Sequence, residues 1–234
     1  MNYAIILSGG IGTRMRSDGF PKQYIEVKNK PVIVYTLLKF QENKTVDEIV
    51  IVAAKEWQNK LSEWLVEFKI NKFFAFALPG ESRQESILNG LGVCNQNKID
   101  ENDKVIIHDG VRPLLSDNLI TKCFEEINEH DGCMPVLPVN DTVYQSQNGK
   151  TISNLLDRNT LFAGQAPEAF KLKKYFEINK NTGKEILEKT KGSSEIAYNN
   201  NFDISLIPGE DTNFKLTTPA DLQRFKAILV GENK

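Results

Sequence analysis

Short apolar runs alternate along the chain with longer stretches of helical spacing. Apolar runs at 3–7, 48–54, 72–77, 104–108, 133–138 and 203–207 predict strands. Stretches at 31–42, 55–68, 83–97, 116–130, 171–178 and 218–230 predict helices. This order predicts an α/β fold, a Rossmann-like and mostly parallel sheet covered by helices. Trp57, Leu61, Trp64, Leu65 and Phe68 fall at helical spacing and read as core rather than as a ligand site. The last helix opens with Thr218-Pro219-Ala220-Asp221: a capping Thr, Pro at the first helical position and an acid at the third.

One stretch breaks the alternation. Residues 139–162 read as two short strands, 142–145 and 151–155, joined by Ser146-Gln147-Asn148-Gly149-Lys150. Asn148-Gly149 is a strong hairpin signal. No linker and no internal repeat is visible. The expected organisation is one domain over residues 1–234 with 139–162 as a protruding β-arm.

Composition narrows the class. The chain has 234 residues, enough for one sizeable core. A formal net charge of −2 gives no reason to expect nucleic acid or an anionic membrane as partner. No apolar run approaches the roughly 18 residues of a membrane span. The N-terminus lacks a basic region, an apolar stretch and a cleavage site in that order, so the expected location is cytoplasmic. Cys94, Cys123 and Cys133 form no Cys-x-x-Cys pair and suit a reducing compartment. With only His108 and His130, a His-based zinc site is not expected.

Candidate chemistry begins where the first strand ends. Leu7-Ser8-Gly9-Gly10-Ile11-Gly12-Thr13-Arg14-Met15 is followed by Pro21-Lys22-Gln23. Glycines let a backbone turn tightly and bring its N–H groups to an anion. Arg14 and Lys22 add positive charge beside them. Such a loop suits a polyphosphate; a tight turn with two solvated cations would look similar. A Walker loop is excluded, because no Lys-Ser or Lys-Thr follows the last glycine. A dinucleotide fingerprint is excluded too, because Met15 stands where its third glycine would be.

Leu-Ser-Gly-Gly-Ile-Gly-Thr-Arg-Met with Pro-Lys-Gln resembles the nucleotide loop of the polyol-phosphate cytidylyltransferases. These enzymes act on 2-C-methylerythritol 4-phosphate and on ribitol 5-phosphate. Five later segments agree in order: Pro79-Gly80-Glu81-Ser82-Arg83-Gln84-Glu85-Ser86, His108-Asp109-Gly110-Val111-Arg112-Pro113, Asp141-Thr142, Asp157-Arg158-Asn159 and Asn213-Phe214-Lys215-Leu216-Thr217. The resemblance implies a CTP-dependent nucleotidyltransferase needing Mg²⁺, a homodimer through the arm, and no nucleic-acid or membrane partner. It implies catalytic roles for Arg14, Lys22 and Lys215, and nucleotide contacts from Leu7, Ser8, Gly9, Gly10, Gly12, Thr13, Gly110 and Arg112. Gly80, Glu81 and Ser86 would read the cytosine. Asp109 would hold the metal. Asp211 is a further candidate for a second metal ligand, one the resemblance does not supply. Thr142 and Arg158 of the arm would hold the acceptor's phosphate in the neighbouring subunit. On the residues alone, Asp109 could be a turn Asp, Arg112 a loop brace, Ser82 or Glu81 a helix cap, Asp157-Arg158 a surface ion pair and Lys215 solvated.

The charges fit direct displacement. A phosphate monoester is largely dianionic near neutrality, its second pKa being about 6, so it needs no general base. Segments point both ways on the acceptor. Asp157-Arg158-Asn159-Thr160-Leu161 looks like the methylerythritol phosphate enzymes. Lys55-Glu56-Trp57, residues 108–113 and Gly164-Gln165-Ala166-Pro167 look more like the ribitol phosphate enzymes. Tyr144, Ala166 and Ser193-Ser194-Glu195 depart from the usual pattern, all on the acceptor side. Another surface-polysaccharide sugar phosphate as acceptor, and a non-catalytic nucleotide-binding subunit, are the alternatives. A nicotinamide oxidoreductase shares the α/β pattern but would need the missing fingerprint.

Overall fold

The computed structural model describes residues 1–10 and 20–231. The first strand is β1 (Asn2–Leu7). A small hairpin of β2 (Glu26–Val27) and β3 (Lys30–Pro31) leads into α1 (Val32–Glu42). There follow β4 (Glu48–Val52), α2 (Lys55–Glu67), β5 (Phe73–Ala77), α3 (Arg83–Cys94), β6 (Lys104–Asp109), α4 (Asp117–Glu126) and β7 (Gly132–Pro138). After β7 the chain forms β8 (Val143–Gln145), β9 (Asn154–Leu156), β10 (Phe162–Gly164) and β11 (Glu168–Lys171). It closes with α5 (Leu172–Asn181), α6 (Lys184–Lys189), α7 (Ser193–Asn199), β12 (Ile204–Pro208) and α8 (Pro219–Gly231).

The main sheet is mixed and mostly parallel. β5, β4, β1 and β6 are parallel neighbours in that order. β11 comes next and runs antiparallel to both β6 and β7. Val136 of β7 pairs with Gly164 of β10 and with Pro208 of β12, so these two strands occupy opposite edges of β7. β10 and β11 are therefore two pieces of one interrupted strand, with Gln165-Ala166-Pro167 between them.

β1 shows why both faces must be covered. Side chains alternate across a strand. Ala4 and Ile6 pack with Ile33, Leu37 and Phe40 of α1, Leu61 and Trp64 of α2, and Ile120 and Phe124 of α4. Tyr3 and Ile5 pack with Ile87 and Leu91 of α3 and with Tyr175 and Phe176 of α5. Leu61 is fully buried, so Leu61→Ala would cost about 2–5 kcal/mol. A smaller cluster, Val27, Val32, Val111, Leu216 and Phe225, seats α8 against the β2–β3 hairpin.

Local chemistry sets the helix starts that matter here. Ser82 caps α3 by accepting from the Glu85 N–H at 3.1 Å. Ser116 caps α4 by accepting from the Leu119 N–H at 3.0 Å. At α8 the Asp221 N–H donates to Thr218 Oγ1 at 3.2 Å, and its carboxylate accepts from the Thr217 and Thr218 N–H groups at 2.8 Å.

The six strands and six helices expected from the pattern all form, with shifted ends. The helix expected over 83–97 stops at Cys94 and finishes in a 3₁₀ turn, Asn95–Asn97. That expected over 116–130 stops at Glu126. The antiparallel β10 and β11 were not expected. The hairpin of 139–162 forms, but β8 pairs with 154–156 rather than with 151–155. The cause is Asn148. Its side-chain oxygen accepts from the Lys150 and Thr151 N–H groups at 2.9 and 3.0 Å, which makes a longer tip with Gly149 at φ +70°.

Candidate active site

A cavity of about 620 Å³ opens at the carboxyl ends of the parallel strands, where open α/β sheets bind their ligands. Leu7 at the end of β1 lines it with Ser8, Gly9 and Gly10 just beyond; Pro79, Gly80, Glu81 and Ser82 line it after β5. The two loops approach each other at Gly9 and Pro79. A Cβ on Gly9 would lie 2.4 Å from Pro79 Cβ, so only glycine allows this approach. Gln23 is buried and holds the first loop from within the protein. Its Nε2 donates to the Ser8 carbonyl at 2.6 Å and to the Gly10 carbonyl at 2.9 Å. Lys22 lines the same cavity. Gly12, Thr13 and Arg14 lie outside the described residues.

The second loop is braced by its own side chains. The Gly80 N–H donates to Ser86 Oγ at 3.0 Å, and Ser86 Oγ donates to the Ser82 carbonyl at 2.9 Å. The Glu81 N–H donates to Glu85 Oε2 at 2.7 Å. A Cβ on Gly80 would come within 2.4 Å of Glu85 Cγ. The Glu81 carboxylate pairs with Lys184 of α6 at 2.7 Å, and both are exposed. Of the two candidate caps, Ser82 fills the role.

Asp109 ends β6 at the centre of a cluster of cations. Lys215 Nζ and Arg112 Nε stand 3.1 Å from its carboxylate, and an Arg83 nitrogen 3.8 Å away. Burial pushes this carboxyl's pKa up. Lys215, Arg83 and Arg112 together outweigh burial and hold it well below the usual carboxylate range. Arg112 also donates to the Asn213 carbonyl at 2.7 Å, so it braces the loop before α8. Gly110 lines neither cavity; its N–H donates to the Leu7 carbonyl at 2.9 Å. His108 is fully buried, which pushes its pKa down to about 4. It is neutral, and Nε2–H donates to the Arg112 carbonyl at 3.2 Å.

A second cavity of about 290 Å³ meets the first at Arg83, Asp109 and Lys215. Arg112, Gln165, Ala166, Glu168 and Lys191 also line it. Thr142 and Arg158 lie elsewhere. Both are exposed on the 139–162 segment, and Arg158 donates to the Asn140 carbonyl of its own chain. Asp211 is exposed and lines neither cavity; its carbonyl accepts from Arg224 at 3.4 Å.

Among the described residues no group of three or more His, Cys, Asp or Glu side chains could cage a metal ion. Mg²⁺ does not ask for one. It keeps several waters and takes one or two carboxylates together with substrate phosphates. Asp109, held ionised at the junction of the two cavities, suits that kind of site.

Gln23, Arg83 and Glu168 hold the site together without any role that the sequence alone assigns to them. Gln23 lies in Pro21-Lys22-Gln23 and Arg83 in the 79–86 motif. Glu168 is a buried carboxylate in β11, a strand the pattern did not reveal.

Known proteins bear on this geometry. The family described as 2-C-methyl-D-erythritol 4-phosphate cytidylyltransferase (IspD) matches residues 2–231. The ribitol-5-phosphate cytidylyltransferase of Vibrio parahaemolyticus is 37% identical over 231 residues, 98% of this chain and 96% of that protein. The 2-C-methyl-D-erythritol 4-phosphate cytidylyltransferase of Rubrobacter xylanophilus is 36% identical over 234 residues, 99% of this chain and 96% of that one. The fold matches the crystal structure of the Francisella tularensis IspD protein with a TM-score of 0.80 at 24% identity, over 97% of this chain and 98% of that one. Among the described residues no helix is long and apolar enough to cross a membrane.

Proposed function

The chain belongs to the 2-C-methyl-D-erythritol 4-phosphate cytidylyltransferase family, and from that premise we propose that its acceptor is ribitol 5-phosphate. It is a cytidylyltransferase: it moves CMP from CTP to a polyol phosphate and releases pyrophosphate. One observation carries the choice of acceptor. Gly164, Gln165 and Ala166, from a segment that resembles the ribitol phosphate enzymes, line the smaller cavity. The segment resembling the methylerythritol phosphate enzymes, Asp157-Arg158-Asn159-Thr160-Leu161, touches neither cavity of its own chain and would meet an acceptor only in a partner subunit, so it weighs for the second reading. 2-C-Methylerythritol 4-phosphate is the second reading, favoured by that segment and by the Rubrobacter relative.

The roles follow from charge and position. CTP takes the larger cavity, with Gly80, Glu81 and Ser86 at the base and the loop after β1 at the triphosphate. The acceptor takes the smaller one. Its dianionic phosphate attacks the α-phosphorus in line. A P–O bond forms there, the bond to the bridging oxygen breaks, and pyrophosphate leaves with the electron pair. Lys215, Lys22 and Arg14 offset the charge that gathers on the α-phosphate, so catalysis is positioning and electrostatics. A divalent cation serves the family's reaction, and we assign Mg²⁺ to Asp109. Bound there, it would neutralise triphosphate charge next to Lys215.

We further assign a cytoplasmic homodimer whose 139–162 arms exchange. Arg158 and Thr142 would then serve the partner's acceptor phosphate through a bidentate fork and a hydroxyl. Exposed Tyr144, Ile152 and Leu155 on this segment support a covered surface. Pyrophosphate release with CTP and a panel of polyol phosphates tests the assignment. Ribitol 5-phosphate should exceed 2-C-methylerythritol 4-phosphate in kcat/KM by about tenfold or more. The reverse preference would transfer the assignment to the second reading.

A further inference from the structure

Glu168 opens β11 and ends in the smaller cavity, with its side chain 9% exposed. Burying a carboxylate is costly unless hydrogen bonds and countercharge compensate it. Half of that compensation is visible. Oε2 accepts from the Ser194 N–H at 2.8 Å and also from the Ser194 hydroxyl. Oε1 has Arg83 at 3.6 Å, a distance that balances charge but exceeds a hydrogen bond. Arg83 is in turn shared with Asp109 and Ser193. Glu168 is therefore fixed in place by one oxygen while the other keeps lone pairs for a donor in the cavity.

The rest of the cavity sharpens this. Arg112, Lys191 and Lys215 are donors suited to a phosphate. Asp109, the other carboxylate, is surrounded by three cations. Of the two carboxylates lining this cavity, Glu168 is the one suited to the uncharged end of a polyol phosphate, whose hydroxyls are donors: its Oε1 has Arg83 only at 3.6 Å, beyond hydrogen-bond distance.

We propose that Glu168 determines acceptor specificity: Oε1 accepts a hydrogen bond from a hydroxyl of the polyol chain, and Ser194 holds the carboxylate at the angle that does so. This role rests on the assignment of the smaller cavity to the acceptor. A site built to hydrogen-bond a hydroxyl strongly rejects the analogue that lacks it, because its own buried group is left unpaired. The residue thus selects for a hydroxyl at one place along the chain.

The test is steady-state kinetics with ribitol 5-phosphate and its single-deoxy analogues, for wild type, Glu168→Gln and Ser194→Ala. Wild type should lose about 10- to 100-fold in kcat/KM with one deoxy analogue. In Glu168→Gln that loss should shrink to about threefold or less. KM for ribitol 5-phosphate should rise about tenfold, while KM for CTP stays within about twofold. Ser194→Ala should show the same pattern at smaller amplitude, and it keeps the carboxylate if Glu168→Gln folds poorly by thermal melting. Discrimination that survives in both variants overturns the role, as does a KM for CTP that rises in step with that for the acceptor. Wild-type protein that turns over no polyol phosphate sinks the assigned function and this role with it; wild-type turnover with unaltered discrimination in the variants sinks only the role.

Discussion

Gly9→Ala probes how the two loops of the larger cavity depend on each other without removing any functional group. The new Cβ would sit 2.4 Å from Pro79 Cβ, 3.1 Å from its Cγ and 3.6 Å from its Cα. Carbon atoms prefer about 3.5–4.0 Å, so roughly 1 Å of relief is needed. A proline ring cannot rotate away, so the backbone of one loop must move. Overpacking of this kind costs about 1–3 kcal/mol. For a domain of this size that lowers Tm by about 2–4 °C per kcal/mol. The effect on turnover should be larger. Both loops line the same cavity, and a misplacement near 1 Å can cost about 100-fold. Steady-state kinetics with CTP varied at saturating acceptor, beside a thermal melt, gives both quantities. The expected result is a fall in kcat/KM for CTP of about 10- to 100-fold with a melt that remains cooperative. A kcat/KM within about threefold of wild type would refute the claim that this contact sets the cavity.

Asp109→Asn removes the shared counter-ion of Lys215, Arg83 and Arg112; because Lys215 and Arg83 are partly exposed, it should cost about 1–3 kcal/mol and leave the fold intact. Cation-dependent turnover should disappear in that variant, and activity within about fivefold of wild type would reject the metal role. Mixing Arg158→Ala with Lys22→Ala subunits should restore activity at about a quarter of all sites if arms exchange, since each mixed dimer then has one intact site. No recovery despite proven subunit exchange would mean Arg158 serves its own subunit or none. His130 donates to Asp203 at 2.7 Å, and this hydrogen bond raises its pKa. A raised pKa stabilises the fold below the unfolded value near 6.5 and the gain fades as pH climbs through the folded value. The Tm advantage of wild type over His130→Gln should therefore be present at about pH 5.5 and vanish by about pH 9; a gap that is flat with pH would contradict this.

The parallel half of the sheet was legible because its strands are buried on both faces and read as continuous apolar runs, as Ile5-Ile6-Leu7 and Ile49-Val50-Ile51-Val52 do. The antiparallel strand was not. Glu168-Ala169-Phe170-Lys171 is four residues long with a charge at each end. Those charges are tolerated for reasons far away in sequence: Lys171 pairs with Asp131 at 3.4 Å and Glu168 is held by Ser194. The same distance hides Arg83, which stands inside the 79–86 motif but whose partners Asp109 and Glu168 come from β6 and β11. Gln23 was hidden differently. An amide that supports a loop looks like any surface glutamine until the carbonyls of Ser8 and Gly10 are seen above it. The hairpin was visible through Asn148-Gly149, but its register was misread because the Asn148 side chain bonds forward along the chain.

The central place of β1 has a consequence for how the chain reaches this fold. Tyr3–Leu7 pairs with Glu48–Val52 on one edge and with Val105–Asp109 on the other. Neither partner is local, so loop-closure entropy must be met before any pairing of this strand is rewarded. Until β6 arrives, β1 is an apolar segment with at least one open edge, a template for pairing with another chain. Collapse of the helices can run ahead, but the sheet cannot close around its own first strand until both partners are present. Refolding yield should thus fall steeply with protein concentration, and an early intermediate should expose the edge of β1 to hydrogen exchange after α1 and α2 are already protected.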